Sequence, residues 1–219
     1  MSSTEDRKTP QIMCRPDGPY VLNDFIPRTV DYVQNAEGEQ YTRTVAASLC
    51  RCGASNNKPF CDGNHRAIEF TDANTADPAL NRRNDYVGAK LTVHYNRALC
   101  SASENCVNGL PTVFKSEGEP WIFPDDGDME DVIETVKTCP SGALSYSIDG
   151  VEYRDQEREP MVIVTKNGPY EVVGGIELVD PPEPCEGASS EHYALCRCGA
   201  SNNKPFCDGA HWDVKFTAE

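Results

Sequence analysis

Three cysteines and a histidine recur twice with the spacing C-x-C-x8-C-x3-H. They are Cys50, Cys52, Cys61 and His65, then Cys196, Cys198, Cys207 and His211. The phrase that carries the cysteines, LCRCGASNNKPFCDG, is identical at 49–63 and 195–209. Thiolates and an imidazole on one loop suit zinc or an iron–sulfur cluster, both of which take sulfur and nitrogen donors. Unliganded buried thiols are the bland alternative, and a letter-for-letter repeat of the donors argues against it. The C-x-C pair sets two thiolates side by side. The third cysteine precedes an Asp-Gly turn that can cap a short helix running through the histidine. Pro59 stiffens the approach to it, and Gly53 permits a tight backbone turn.

A second kind of pattern lies between the copies: Cys100, Cys106 and Cys139-Pro140. Bacterial ferredoxins read C-x2-C-x2-C and later C-P. On that spacing Cys100 and Cys106 take the first and third positions, Cys139 takes the fourth, and Ser103 stands where the second cysteine would be. Three thiolates fit a 3Fe–4S cluster, which is the favoured reading. They also fit a 4Fe–4S cluster whose fourth iron is held by water, Ser103 or another ligand. Cys14 and Cys185 are left over and read as ordinary thiols. His94 and His192 read as structural, and Trp121 and Trp212 as packing residues. Lys58 and Lys204, on the ligand loops, either hydrogen-bond near the sites or face solvent.

The elements that position these residues follow from local patterning. Asp17-Gly18-Pro19-Tyr20 and Asn167-Gly168-Pro169-Tyr170 sit between β-branched and apolar residues, a hairpin signal present in both halves. The offset between halves is 150 at the tyrosines and 146 at the first cysteines, so a longer loop is expected in the first copy. Short alternating strands are expected at 67–70 and 213–216. Residues 71–89 and 150–160 read as linkers, and Pro181-Pro182-Glu183-Pro184 as a stiff loop. Between the linkers, Leu91, Val93 and Tyr95 alternate as in a strand. Met129, Val132, Ile133 and Val136 make a helical stripe with acids first and Lys137 last, and 143–148 resumes a strand.

Composition bounds the rest. The 219 residues are 38% hydrophobic and include 16 Gly and 16 Pro, so apolar burial alone is thin and loops are many. Eleven cysteines cannot all pair as disulfides. The beginning MSSTEDRKTP has neither the apolar core of a secretory signal nor the acid-poor character of a mitochondrial presequence, and no apolar run reaches membrane-spanning length. A soluble, cytoplasmic, reducing setting is therefore expected, with cysteines as ligands. A net charge of −15 excludes nucleic acid as the expected partner and suits solubility or steering of a basic redox partner.

The signature C-x-C-x2-S-x3-P-x-C-D-G-x-H resembles that of CDGSH iron–sulfur domains, the mitoNEET-like family. Asn64 and Ala210 replace the signature serine, which is not a ligand. The resemblance implies a 2Fe–2S cluster in each copy, one iron held by Cys50 and Cys52 and the other by Cys61 and His65, with Cys196 and Cys198, then Cys207 and His211, alike. It also implies an intramolecular pseudo-dimer of two small β-rich domains. The segments from Cys106 to Phe114, Pro120 to Asp125 and Cys139 to Leu144 are similar to the divergent single-cluster ferredoxin domain found fused to CDGSH domains in bacteria. The expected fold class is α+β: CDGSH domains at 11–72 and 160–219 and a central ferredoxin-like α+β domain at 88–150. The expected function is electron transfer by an iron–sulfur protein, not an enzyme, acting as a monomer on a redox protein. Cluster donation to an apo iron–sulfur acceptor, or redox and pH sensing through labile histidine-ligated clusters, is the alternative. An oxidoreductase subunit and a zinc-binding interaction module complete the set.

Overall fold

The structure, a computed structural model, describes residues 10–23, 32–41 and 47–218. The first half contains β1 (Gln11–Cys14), β2 (Tyr20–Asn23), β3 (Val33–Asn35) and β4 (Ser48–Leu49). The middle holds β5 (Arg83–Val87), β6 (Thr92–Asn96), α1 (Asn105–Gly109), α2 (Met129–Lys137), β7 (Leu144–Ile148) and β8 (Val151–Tyr153). The last part holds β9 (Met161–Val164), β10 (Tyr170–Val173), β11 (Glu177–Val179), β12 (Tyr193–Leu195) and α3 (Ala210–Asp213). Among the described residues these strands form three four-stranded sheets, and the helices are few and short, an α+β arrangement.

The repeated hairpins form as their turn residues dictate. Asp17 and Asn167 take left-handed backbone conformations, φ 48° and 56°, which Asp and Asn tolerate better than most residues. β1 pairs antiparallel with β2, and β9 with β10. The hairpins then exchange strands. β11 from the second half runs parallel to β1, Ile12 opposite Leu178, and β3 from the first half runs parallel to β9, Val33 opposite Val162. The sheet orders are β11-β1-β2-β4 and β12-β10-β9-β3, so each contains strands of both halves.

One apolar cluster fills the space shared by these two sheets, with Ile12, Leu22, Val33, Leu49, Val162, Val172, Ile176 and Leu195 all buried in it. Burying each such side chain is worth about 1.5–3 kcal/mol, so the halves are held together chiefly by this cluster. At its centre Tyr20 and Tyr170 meet edge to face, ring centroids 6.0 Å apart. The Tyr20 hydroxyl donates to Cys196 O and Pro205 O, both at 2.9 Å. The Tyr170 hydroxyl donates to Cys50 O at 2.9 Å and Pro59 O at 3.0 Å. Each tyrosine thus supports the ligand loop of the other half.

The third sheet is an antiparallel meander, β5-β6-β7-β8, with α2 packed on it through buried Val132 and Val136. Glu130 and Asp131 open α2 and Lys137 ends it, matching the helix dipole. Two stretches that read as linkers contribute strands here, β5 and β8. Tyr86 of β5 is buried among Val93 and Ile122, a contact its polar neighbours Arg83, Asn84 and Asp85 conceal in sequence. The strands expected at 67–70 and 213–216 are absent among the described residues. The chain turns there instead, Glu69 and Lys215 taking φ 51° and 50°, and Phe70 N and Phe216 N donate back to His65 O and His211 O, each at 2.9 Å. The longer loop expected in the first copy falls at 24–31 and 42–46, outside the described residues. Among the described residues no helix is long and apolar enough to cross a membrane.

Candidate iron–sulfur sites

Each letter of the repeated phrase shapes the loop. Leu49 bridges Phe60, and Leu195 bridges Phe206, closing each loop at its base. Cys50 N donates to Pro59 O and Cys61 N to Ser48 O, both at 2.8 Å; Cys196 and Cys207 repeat this on Pro205 O and Ala194 O. The Ser55 and Ser201 hydroxyls donate to Phe60 O and Phe206 O, at 2.6 and 2.7 Å. Asp62 accepts from Asn56 N at 2.8 Å and Asn64 N at 3.0 Å, bonds that hold its carboxyl below the usual range. Asp208 accepts from Asn202 N at 2.8 Å and Ala210 N at 3.0 Å. Lys58 and Lys204 bond the carbonyls of Ser55 and Ser201, so both brace the loop. The arginine between the paired cysteines is buried, with Arg51 stacked 5.2 Å from the Tyr20 ring centre and Arg197 5.5 Å from that of Tyr170.

These loops present donors in pairs. Cys50 Sγ and Cys52 Sγ are 3.9 Å apart, and Cys196 Sγ and Cys198 Sγ 3.8 Å. Cys61 Sγ is 3.4 Å from His65 Nδ1, and Cys207 Sγ 3.5 Å from His211 Nδ1. Two thiolates bound about 2.3 Å from one tetrahedral metal stand about 3.8 Å apart, and a thiolate and an imidazole nitrogen about 3.5 Å apart. Both pairs therefore fit the edge of a tetrahedron, with Nδ1 as the imidazole donor. Among the described residues no three His, Cys, Asp or Glu are grouped to hold one metal ion. Each loop thus offers two donor pairs, one of two thiols and one of a thiol and an imidazole.

The thiols are held where a proton is hard to lose without a cation nearby. Burial pushes Cys52 up to about 11 and Cys207 up to about 12, and also raises Cys61. The contact between Cys196 and Cys198, together with burial, raises the first, and the same contact lowers the second. Ionising several adjacent thiols would crowd like charges, which bound iron offsets.

The middle cysteines also converge. Cys100, Cys106 and Cys139 line one small cavity together with Tyr95, Ser103 and Trp121. Burial pushes Cys106 up to about 11, with Cys139 and Cys100 adding to it; burial and Cys100 raise Cys139. Cys139 Sγ lies 3.7 Å from Ser141 Oγ. Between the first two cysteines, Ala102 and Glu104 take φ 54° and 61°, strained conformations of the kind that accumulate at ligand sites. Trp121 packs against Tyr95, centroids 4.8 Å apart, as expected of a packing residue. Trp212 departs from that expectation: it is 59% exposed, and its indole Nε1 donates to Ala102 O at 2.9 Å.

The remaining candidates keep to structural roles. His94 is bonded between Asp85 Oδ1 and Ser147 Oγ, and His192 lies against Ser189 and Glu191. Cys14 and Cys185 are half-buried free thiols raised by burial. Sequence reading missed the cross-half hydroxyls of Tyr20 and Tyr170, whose identical place in both hairpins was the available signal. It also missed Arg97, which donates to Cys100 O and Asp208 O.

Comparison with known proteins agrees with this geometry. The family described as iron-binding zinc finger, CDGSH type, matches residues 17–66 and 167–212. The family described as divergent 4Fe-4S mono-cluster matches residues 86–149. Two curated relatives named uncharacterized protein YjdI, from Escherichia coli strains K12 and O157:H7, are each 46% identical over 61 residues, covering 28% of this chain and 80% of theirs. No solved structure matches. The expected 3Fe–4S cluster finds no support in these matches, since the model for the middle region describes a 4Fe–4S cluster. With its donors paired in both repeated loops and Cys100, Cys106 and Cys139 gathered on one cavity, the chain is an iron–sulfur protein in which two CDGSH domains flank a divergent 4Fe–4S mono-cluster domain.

Proposed function

We propose that this protein is an electron carrier with a 2Fe–2S cluster in each CDGSH domain and a 4Fe–4S cluster in the middle domain. The observation that carries this reading is the paired spacing of the donors, 3.8–3.9 Å between thiols and 3.4–3.5 Å between thiol and imidazole, in both copies. Such clusters supply one-electron chemistry without proton or group transfer at the protein. Cys50 with Cys52, and Cys196 with Cys198, would hold one iron of each cluster; Cys61 with His65, and Cys207 with His211, the other. Cys100, Cys106 and Cys139 would hold three irons of the middle cluster, with Ser103 on the same cavity wall. The reciprocal tyrosine bonds and exchanged strands support an intramolecular pseudo-dimer around which the ferredoxin-like domain is added. A cytoplasmic monomer serving a redox partner completes the reading.

A second role, donation of a cluster to an apo iron–sulfur acceptor, is favoured at the first site by one observation: Cys61 and His65 are half-exposed. Anaerobic purification with iron and sulfide counting tests the main reading. About eight irons per chain and two kinds of electron paramagnetic resonance (EPR) signal on reduction are expected. A colourless protein containing zinc would overturn it.

A further inference from the structure

The second ligand loop is seated on the stretch that carries the first cysteine of the middle site. Cys207 Sγ lies 3.8 Å from the carbonyl oxygen of Ser101, the residue bonded to Cys100. Trp212, directly after His211, donates to Ala102 O at 2.9 Å. Arg97 donates to Cys100 O at 3.1 Å and to Asp208 O at 3.3 Å, tying the backbone beside one ligand to the backbone beside the other. Asn203 donates to Ala98 O at 2.8 Å. Gly209 marks how close the approach is: a β-carbon there would stand 2.8 Å from Ala102 Cβ.

The first loop has the same fifteen letters and a different setting. A β-carbon on Gly63 would meet nothing within 4 Å, and Cys61 and His65 are half-exposed where Cys207 and His211 are buried. The residues beside the histidines differ as well. Arg66 stands where the second copy has Trp212, and Asn64 where it has Ala210. The Asn64 side chain bonds Ala54 O and Asp62 within its own loop, bonds for which Ala210 has no side-chain donor.

We propose that Cys100–Ala102, held by Arg97 and Trp212, is an internal electron path joining the middle site to the second CDGSH site, and that the first CDGSH site is the one that meets an outside redox partner. This rests on the reading above that all three sites hold iron–sulfur groups. In the internal step one electron leaves the group held at Cys100, Cys106 and Cys139, which is oxidised. It arrives at the group held at Cys196, Cys198, Cys207 and His211, which is reduced. No bond forms or breaks and no proton moves. Electron tunnelling weakens exponentially with the gap to be crossed, and one residue of backbone plus one carbonyl–sulfur contact is a short bridge. Arg97 and Trp212 are positioning residues: they fix the two backbone stretches against each other.

Progressive power saturation of EPR signals in the fully loaded chain reads this directly. His65→Cys marks the first-site signal by changing its ligand set. In the redox state where the middle group carries unpaired spin, the second-site signal is expected to saturate at several-fold higher power than the first. A soluble nickel(II) chelate confined to bulk solvent should instead relax the first-site signal more. Trp212→Arg combined with Arg97→Ala should move the second-site saturation toward that of the first while iron content stays full. Equal saturation of both sites in the wild-type chain with full iron and sulfide would overturn the path and leave the cluster reading standing. Missing iron or sulfide would overturn the cluster reading itself.

Discussion

The two ligand loops share every letter of a fifteen-residue phrase and differ in who lies beside them. Inside the phrase the structure repeats closely, from the cysteine pairs at 3.9 and 3.8 Å to the serine and aspartate bonds that shape each loop. Outside it the copies part. The middle domain covers Cys207, His211 and Asn203, while Cys61, His65 and Asn57 stay open to solvent. The difference teaches that the phrase encodes donor geometry, whereas access to the donors depends on what packs against the loop from outside it. The trend is not uniform: Cys52 is buried and Cys198 half-buried.

The largest effects should fall on what the copies share. Gly53 and Gly199 have φ 77° and 80°, and a β-carbon on either would lie 2.4 or 2.5 Å from the carbonyl oxygen of Cys198 or Cys52. Gly53→Ala and Gly199→Ala should each destabilise the fold by more than about 2 kcal/mol, to a similar degree, in chemical denaturation. A large difference between them would break the equivalence of the halves. Next, Tyr20→Phe and Tyr170→Phe each remove a hydroxyl bonded to two carbonyls of the opposite loop, and should cost about 2 kcal/mol each by the same measurement.

Cluster loss should then separate the copies. Burial lowers the affinity of His211 for a proton, so its imidazole stays neutral, the form that binds metal, to lower pH. With an iron chelator in mildly acid buffer, absorbance decay should be biphasic, and His65→Cys should abolish the fast phase. Loss of the slow phase in that variant would reverse the assignment.

A smaller difference lies in the hairpins. Glu171 of β10 stands where the first copy has Val21, and burial pushes its carboxyl up to about 7. The folded state therefore holds the proton more tightly than the unfolded one. Its contribution is fully present below about pH 4.5 and is lost as pH rises through about 7, on the order of 3 kcal/mol. Glu171→Gln should flatten stability against pH in that window, whereas Val21→Thr should leave the slope intact.

The donors and hairpins were legible because they depend on local chemistry: thiol spacing, an Asp-Gly or Asn-Gly turn, an apolar stripe at helical period. What was hidden depends on partners distant in sequence. β5 and β8 look like linkers because their inward residues are few and their neighbours polar. The turns at Glu69 and Lys215 defeat an apparent alternation through positive φ that neither residue type advertises. Trp212 reads as a packing residue until its acceptor, Ala102, is known to lie above it. Strand exchange leaves no local mark, since β3 and β9 are each ordinary short strands and only their pairing joins the halves.

That exchange has a genetic consequence. When two separate copies of one chain assemble, any mutation appears on both sides of the symmetry axis. Here the strands that bind the halves belong to a single polypeptide, so each ligand loop is copied from its own stretch of gene and can drift alone. Joining the halves also makes their encounter unimolecular, so dilution should leave the thermal midpoint unchanged. Arg66 beside one histidine and Trp212 beside the other are a divergence that a symmetric pair of identical chains has no means to hold.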